Sequence, residues 1–299
     1  MTGREGLFRP MPRGLDHIVH AVRDLDAAAD FYARAGFTVG ARNRHPWGTH
    51  NRIVQFPGFI IELITVGEPG LSPMPPKGSF SFGDFTRDFL ARTEGLSMLV
   101  LEGKGAAADV AAFHHAGIGH FDQFDFERDA RRPDGSTVKV GFSLAFATDP
   151  KAPDIGYFTC QQHYPENFWN PAFQIHSNGV AGIAGVTMVA DNPADHAAFL
   201  RAFAGVSAVT SNSNGSIALK TPRGEIGVMD STDYRRHFAV EPPDQTDGAR
   251  LAAIRLSLPD KAALISALGR GGIVPVEHMG NVIIPPDIAH GAALIFETA

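Results

Sequence analysis

Cys160 is the only cysteine among 299 residues, which excludes an intramolecular disulfide and any multi-thiolate zinc site. Positive charge is not in excess either. Lys and Arg number 26 against 32 Asp and Glu, a net charge of −6, so nothing predicts nucleic acid or an anionic membrane as partner. No apolar run approaches the roughly 18 residues needed to span a bilayer. Residues 1–13 contain Arg4, Arg9 and Arg13 but no apolar stretch, and so read as a flexible N-terminal arm and not a signal peptide. Glycine-rich segments do not follow a strand-to-helix phosphate loop, and no Gly-x-Ser-x-Gly elbow occurs. What is left is a cytoplasmic globular protein, monomer or homodimer, with 44% hydrophobic residues to build a core. Its length suggests two domains of about 150 residues each.

What the chain does have is repetition. Four Ala-rich segments, 26–36, 106–117, 194–205 and 260–271, carry bulky apolar residues at helical spacing and end in glycine. Asp24, Asn192 and Asp260 stand where a side-chain oxygen caps a helix start. A short apolar strand precedes each segment: 15–22, 96–101, 183–190 and 251–258. Two or three strands follow each. After the first they are 38–43, 51–56 and 59–66; after the second, 121–128, 137–147 and 157–162, with a turn at Pro133-Asp134-Gly135. After the third they are 207–211, 216–221 and 225–230, and after the fourth 273–278, 282–284 and 292–297. The fold class predicted is α+β: four βαβββ modules.

His17 and Glu62 fall in the first and last strands of module one, each flanked by apolar residues. An ionised carboxylate is costly to bury unless paired or bound to metal. Two arrangements satisfy it: a His–Glu hydrogen bond between strands, or a shared divalent metal, since imidazole with carboxylate suits zinc, iron, manganese or nickel.

Gly14-Leu-Asp-His17, Phe31-Tyr32, Gly36-Phe37, His45-Pro-Trp-Gly-Thr-His50-Asn51 and Glu62-Leu63, taken in that order, resemble the vicinal-oxygen-chelate superfamily of glyoxalase I, extradiol dioxygenases and bleomycin-resistance proteins. Within it, the first half looks most like the glyoxalase-like domain. The resemblance implies paired modules whose curved sheets form a cup around a small ligand. Residues 14–178 would make the active cup, and 182–299 a degenerate module pair forming a second one. It also implies that His17 and Glu62 are metal ligands. Family members take a further histidine from the partner module's first strand. The matching positions here are Met98 in module two, Gly185 in module three and Ala252 or Ala253 in module four.

The replacement offered is His163, at the end of Tyr157-Phe-Thr-Cys-Gln-Gln-His163, giving His17, Glu62 and His163 as the metal set. Gln161 and Gln162 precede it as substrate-binding candidates, and Cys160 reads as a small core residue. In the 45–51 loop, His50 is the candidate base, Asn51 a partner for an oxyanion or carbonyl, and Trp47 a stacking surface for substrate. The 163–179 segment reads as a lid or an interdomain spacer. The run 128–135 reads as a charged hairpin, and 80–85 as an aromatic wall or loop packing. Two functions remain open. One is a metal-dependent lyase, isomerase or iron dioxygenase acting on a small substrate with adjacent oxygens. The other is a binding protein of the bleomycin-resistance type that sequesters a small molecule without metal.

Overall fold

The computed structural model describes residues 11–71, 77–131 and 135–298. Residues 1–10 of the expected arm, and Pro133 and Asp134 of the expected turn, lie outside the described residues. Module one is β1 (Leu15–Ala21), α1 (Leu25–Arg34), β2 (Asn43–Arg44), β3 (Thr49–Phe56) and β4 (Phe59–Val66). After α2 (Phe82–Arg92), module two is β5 (Gly95–Glu102), α3 (Ala106–His115), β6 (Phe124–Arg131), β7 (Thr137–Ala147) and β8 (Gly156–Gln162). A short α4 (Pro165–Phe168) leads to module three: β9 (Gly182–Val189), α5 (Ala197–Ala204), β10 (Thr210–Ser211), β11 (Ile217–Lys220) and β12 (Glu225–Met229). After α6 (Ser231–Phe238), module four is β13 (Arg250–Leu258), α7 (Lys261–Arg270), β14 (Val276–His278), β15 (Asn281–Ile284) and β16 (Ala293–Thr298). The α+β class and the four βαβββ modules are as the sequence predicts. None of the described helices is long and apolar enough to cross a membrane.

The modules pair into two eight-stranded sheets of identical topology, β2-β3-β4-β1-β5-β8-β7-β6 and β10-β11-β12-β9-β13-β16-β15-β14. In each, the two first strands meet antiparallel at the centre, and each first strand pairs in parallel with its own module's last. The central seams carry bulges at matching places. Asp16 and Ser97 are the extra residues where β1 meets β5, and Ala184 and Ala252 where β9 meets β13. A bulge adds one residue and re-aims the next side chain. The residues that follow, His17, Met98, Gly185 and Ala253, are therefore structural equivalents. Two positions further on, the parallel pairing sets Val19 against Glu62, Val100 against Phe158, Thr187 against Gly227 and Arg255 against Ile295. Only module one has a histidine and a carboxylate at these two places.

Two helices depart from the sequence expectation. The 80–85 segment is not loop but the start of α2, where Ser81 caps the Asp84 amide and Phe82, Phe89 and Leu90 turn one face inward. Likewise, Asp230 caps Asp233 in α6, which buries Tyr234 and Phe238. Both lack the long alanine-rich stripe that marks the other helices. The expected strand 38–43 is nearly absent: Thr38 donates its amide to His176 Nδ1 (3.0 Å), and only Asn43 and Arg44 join the ladder. The 163–179 segment forms α4 and a 3-10 turn at Pro171–Gln174, anchored by His176 on the Gln55 carbonyl (2.9 Å) and by Asn178 on that of Ala35 (2.9 Å).

One continuous core holds the outer faces of both sheets against the helices, from Ile18, Phe31 and Leu63 to Val186, Leu256 and Phe296. Smaller cores lie on the other face of each sheet, under α2 in the first half and under α6 in the second.

His20 on β1 helps tie the halves together. Its Nε2–H donates to the His290 carbonyl (2.9 Å), so Nδ1 accepts from the Tyr32 hydroxyl (3.0 Å). Burial lowers its pKa from 6.5 to about 4. Above pH 6.5 the ring is neutral in the folded and unfolded chain alike; below it, only the unfolded chain takes up the proton until pH approaches 4. Stability is thus lost as pH falls through that window. Between pH 7 and pH 5 this one group should cost about 2 kcal/mol. In denaturant unfolding at the two pH values, a His20→Asn variant should lose that much less than wild type. Equal losses would remove His20 from the account.

Candidate active site

The inner face of the first sheet, with α2, encloses a cavity of about 660 Å³, counting the part open to solvent. Strand alternation decides which side chains reach it. Ile60, Glu62 and Ile64 face inward from β4, and their antiparallel partners Ile53 and Asn51 do so from β3. The bulge at Asp16 breaks the alternation on β1, so Asp16 and His17, adjacent in sequence, both line the cavity. Module two contributes Met98, Leu144, Phe142, Phe158 and Cys160, a largely apolar wall.

Asp16 Oδ1 accepts from His17 Nδ1 at 2.6 Å, since a carboxylate can only accept. This fixes the ring and leaves Nε2 facing Glu62 Oε2, 3.8 Å away. Two electron-pair donors then face one another across a gap too long for a hydrogen bond and suited to a shared cation. Glu62 is held from its other oxygen by Asn51 Nδ2 at 2.5 Å, and Asn51 Oδ1 accepts from Asn43 (3.1 Å). Phe158 packs edge-on against His17, ring centres 5.5 Å apart. Ligand atoms of Asp16, His17 and Cys160 lie within 4.8 Å of one another. Burial, with the Asp16 and Glu62 charges, pushes the Cys160 thiol well above its ordinary pKa. His17 and Glu62 therefore fit a divalent metal as ligands, with Asp16 orienting the histidine. Met98 and Phe158, at the matching places of module two, add no hard ligand and leave the remaining positions open.

His17, Glu62, Asn51, Trp47 and Gln162 are brought together around this cavity. Three other sequence candidates are on the opposite face. His50, one residue before Asn51, lies between Glu68 (3.0 Å) and Arg42 (3.1 Å). Gln161 accepts from the Ala106 amide (2.9 Å) at the start of α3, where Gly105 supplies no cap of its own. His163 bonds Ser143 Oγ (2.8 Å), which also donates to Asp125. None of the three lines the cavity, because residues 50, 161 and 163 alternate with 51, 160 and 162.

Sequence reasoning missed Asp16, His45 and Arg128. His45 stacks on Trp47, ring centres 4.8 Å apart, with Nδ1 on Thr49 Oγ1 (2.8 Å) and Nε2 4.0 Å from Glu62 Oε1. Burial lowers its pKa to about 4 despite the Glu62 charge, so the ring is neutral near pH 7. Arg128 lies in the β6–β7 hairpin as the sequence suggests but projects inward, and burial lowers its pKa against the opposing pull of Glu62. The alternation of Phe124, Phe126, Arg128 and Ala130 with Asp125, Glu127 and Asp129 was the available signal.

A family model described as glyoxalase-like domain matches residues 15–203. The chain belongs to the glyoxalase-like family. With it comes membership of the vicinal-oxygen-chelate superfamily, and solved structures share the fold. A hypothetical protein from Staphylococcus aureus aligns over 96% of this chain and 100% of its own, with TM-score 0.66 and 12% identity. A mutant of 4-hydroxymandelate synthase from Streptomyces coelicolor aligns over 96% and 92%, with TM-score 0.58 and 10% identity. The Mn(II)-bound glyoxalase from Novosphingobium aromaticivorans aligns over 96% and 83%, with TM-score 0.55 and 10% identity. At such identities the likeness shows the fold alone. No curated protein matches the sequence.

The second sheet of this glyoxalase-like protein has no comparable donors. Gly185, Gly227, Ala253 and Ile295 occupy the equivalent places, and Tyr234 and Phe238 of α6 join one apolar cluster with Ala253 and Ile295. In the first sheet, the two adjacent glutamines should separate on mutation. Gln161→Ala removes a helix cap and should cost about 1 kcal/mol in urea unfolding. Gln162 Oε1 is buried without a partner, so Gln162→Leu should change stability by less than about 0.5 kcal/mol or raise it. The reverse order would exchange the roles given to their two faces.

Proposed function

We propose that the first cup is a metal-dependent active site of the glyoxalase type, acting on a small molecule with two adjacent oxygens. The observation that carries this is the His17 Nε2–Glu62 Oε2 pair, facing at 3.8 Å with Asp16 holding the far side of the imidazole. His17 and Glu62 would hold the ion; zinc, nickel, manganese and iron all accept such ligands. Bound there, a divalent metal supplies Lewis acidity toward two substrate oxygens and toward the anion that forms when a proton leaves the carbon beside them.

The protein's own residues do the rest. Asn51 keeps the Glu62 carboxylate turned toward His17. His45 is neutral near pH 7; in the tautomer whose Nδ1–H donates to Thr49 Oγ1, its Nε2, which faces Asn51 Nδ2 at 3.4 Å, would take up a departing proton. The Phe82, Phe126, Phe142 and Phe158 rings exclude water and strengthen every charge interaction inside. Extradiol-type oxygenation uses a third strong ligand, and among the described residues the ligand atoms of Asp16 and Cys160 lie within 4.8 Å of those of His17. The Mn(II)-bound glyoxalase of the same fold supports a metal reading of the cup.

A non-catalytic binding role is the second reading, favoured by Met98 and Phe158 where partner-module ligands would stand. Elemental analysis of tag-free protein separates the two. One equivalent of divalent metal per chain is expected, absent from His17→Ala and Glu62→Gln. Asp16→Asn, which only loosens the orientation of His17, should weaken metal affinity about 10- to 100-fold. No metal in wild type, even after reconstitution, would leave the binding role.

A further inference from the structure

Arg128 is a half-buried cation without an anion. Arg13 meets Asp109, Arg250 meets Asp154 at 3.1 Å, and Arg255 meets Glu297 at 2.6 Å. Arg128 has no carboxylate at ion-pair distance among the described residues. Its Nη1 reaches only Asn43 Oδ1 and the Asp129 carbonyl, both at 3.5 Å, and its Nε is buried without a partner. A guanidinium presents its donors in a fork matched to a carboxylate, and leaving them unmet in a desolvated setting is costly.

Its position is equally particular. Arg128, Ile53 and Phe168 line both the inner cavity and an outer groove of about 1930 Å³, counting the part open to solvent, so Arg128 stands in the doorway between them. Inside that doorway the walls are aromatic: Trp47 stacks on Phe82 at 5.2 Å, and Phe126 lies edge-on to Trp47 at 5.1 Å and stacks on Phe142, also at 5.1 Å. Trp47 Nε1 and Gln162 Oε1, also on the cavity residues, have no partner among the described residues either. Charge limits the occupant. The single Arg128 fork can match one carboxylate, while Asp16 and Glu62 on the same cavity oppose any further negative charge on the ligand.

We propose that the first cup takes an aromatic monocarboxylate, its ring among the phenylalanines and its carboxylate docked on Arg128. Arg128 is then the residue that selects for charge, and the ligand's carbon next to the carboxylate is presented toward His17 and Glu62. The proposal deepens the active-site reading of the same cup, resting on it only for what happens after binding.

Phenylacetate and its neutral amide, phenylacetamide, are suitable probes, because neither has the adjacent oxygens that metal chelation would use. By calorimetric titration of the full chain, phenylacetate should bind at least tenfold more tightly than phenylacetamide. Arg128→Gln should bring the acid down to the amide's affinity with the amide unchanged, and Arg128→Lys should fall between. The preference should persist in EDTA and in His17→Ala. Equal affinity of acid and amide for wild type overturns the proposal whether or not any variant folds. So does a preference that survives Arg128→Gln and vanishes in His17→Ala. A protein that holds no metal yet keeps an Arg128-dependent preference sinks the metal reading and sustains this one.

Discussion

Across the parallel pairing of β1 and β4, an imidazole nitrogen and a carboxylate oxygen face each other, and the architecture of the first cup serves to keep them there. Left alone, two buried electron-pair donors at that distance would turn away or recruit a proton. Asp16 prevents the first ring from turning, and Asn51 prevents the carboxylate from doing so. The bulge at Asp16 lets His17 and the carboxylate that orients it come from consecutive residues and still face one cavity, which no regular strand allows. Around them, Met98, Phe142, Leu144 and Phe158 keep the dielectric low, so the fixed charges act at full strength on whatever enters.

The four modules share one backbone plan and divide its uses. All four keep the bulged central seam, because two twisted first strands must meet there for a sheet of eight strands to curve. Only the first places a histidine and a carboxylate at the two inward positions. In the second sheet the equivalent positions are glycine, alanine and isoleucine, and α6 packs onto them. Its helices and outer face remain part of the core that β1, β4 and β5 also use. Modules three and four thus buttress the first half, and contacts such as His20 to the His290 carbonyl make the buttress specific.

Much of this was legible in the sequence. Alanine-rich helices with terminal glycines, each after an apolar strand, revealed the module, and the flanking of His17 and Glu62 by Ile and Leu placed them on buried strands. What could not be read was which face of a strand looks inward. His50 and Asn51 are neighbours, as are Gln161 and Gln162, and a period of two puts one of each pair in the cavity without saying which. Asp16 was hidden for the opposite reason: a bulge cancels the alternation, and nothing in Leu15-Asp-His17 announces it. Arg128 sat in a charged run whose alternating phenylalanines were the better clue. Helices α2 and α6 were missed because their apolar stripes are short, although Ser81 with Asp84 and Asp230 with Asp233 marked where each begins.

Diffraction from crystals of metal-reconstituted protein, recorded on both sides of the metal's absorption edge, tests the central claim most directly. The account predicts one strong anomalous peak per chain, between His17 Nε2 and the Glu62 carboxylate, with Asp16 still on Nδ1 and no peak in the second cup. A peak bound chiefly by residues beyond 182, or no peak in the first cup at saturating metal, would contradict it.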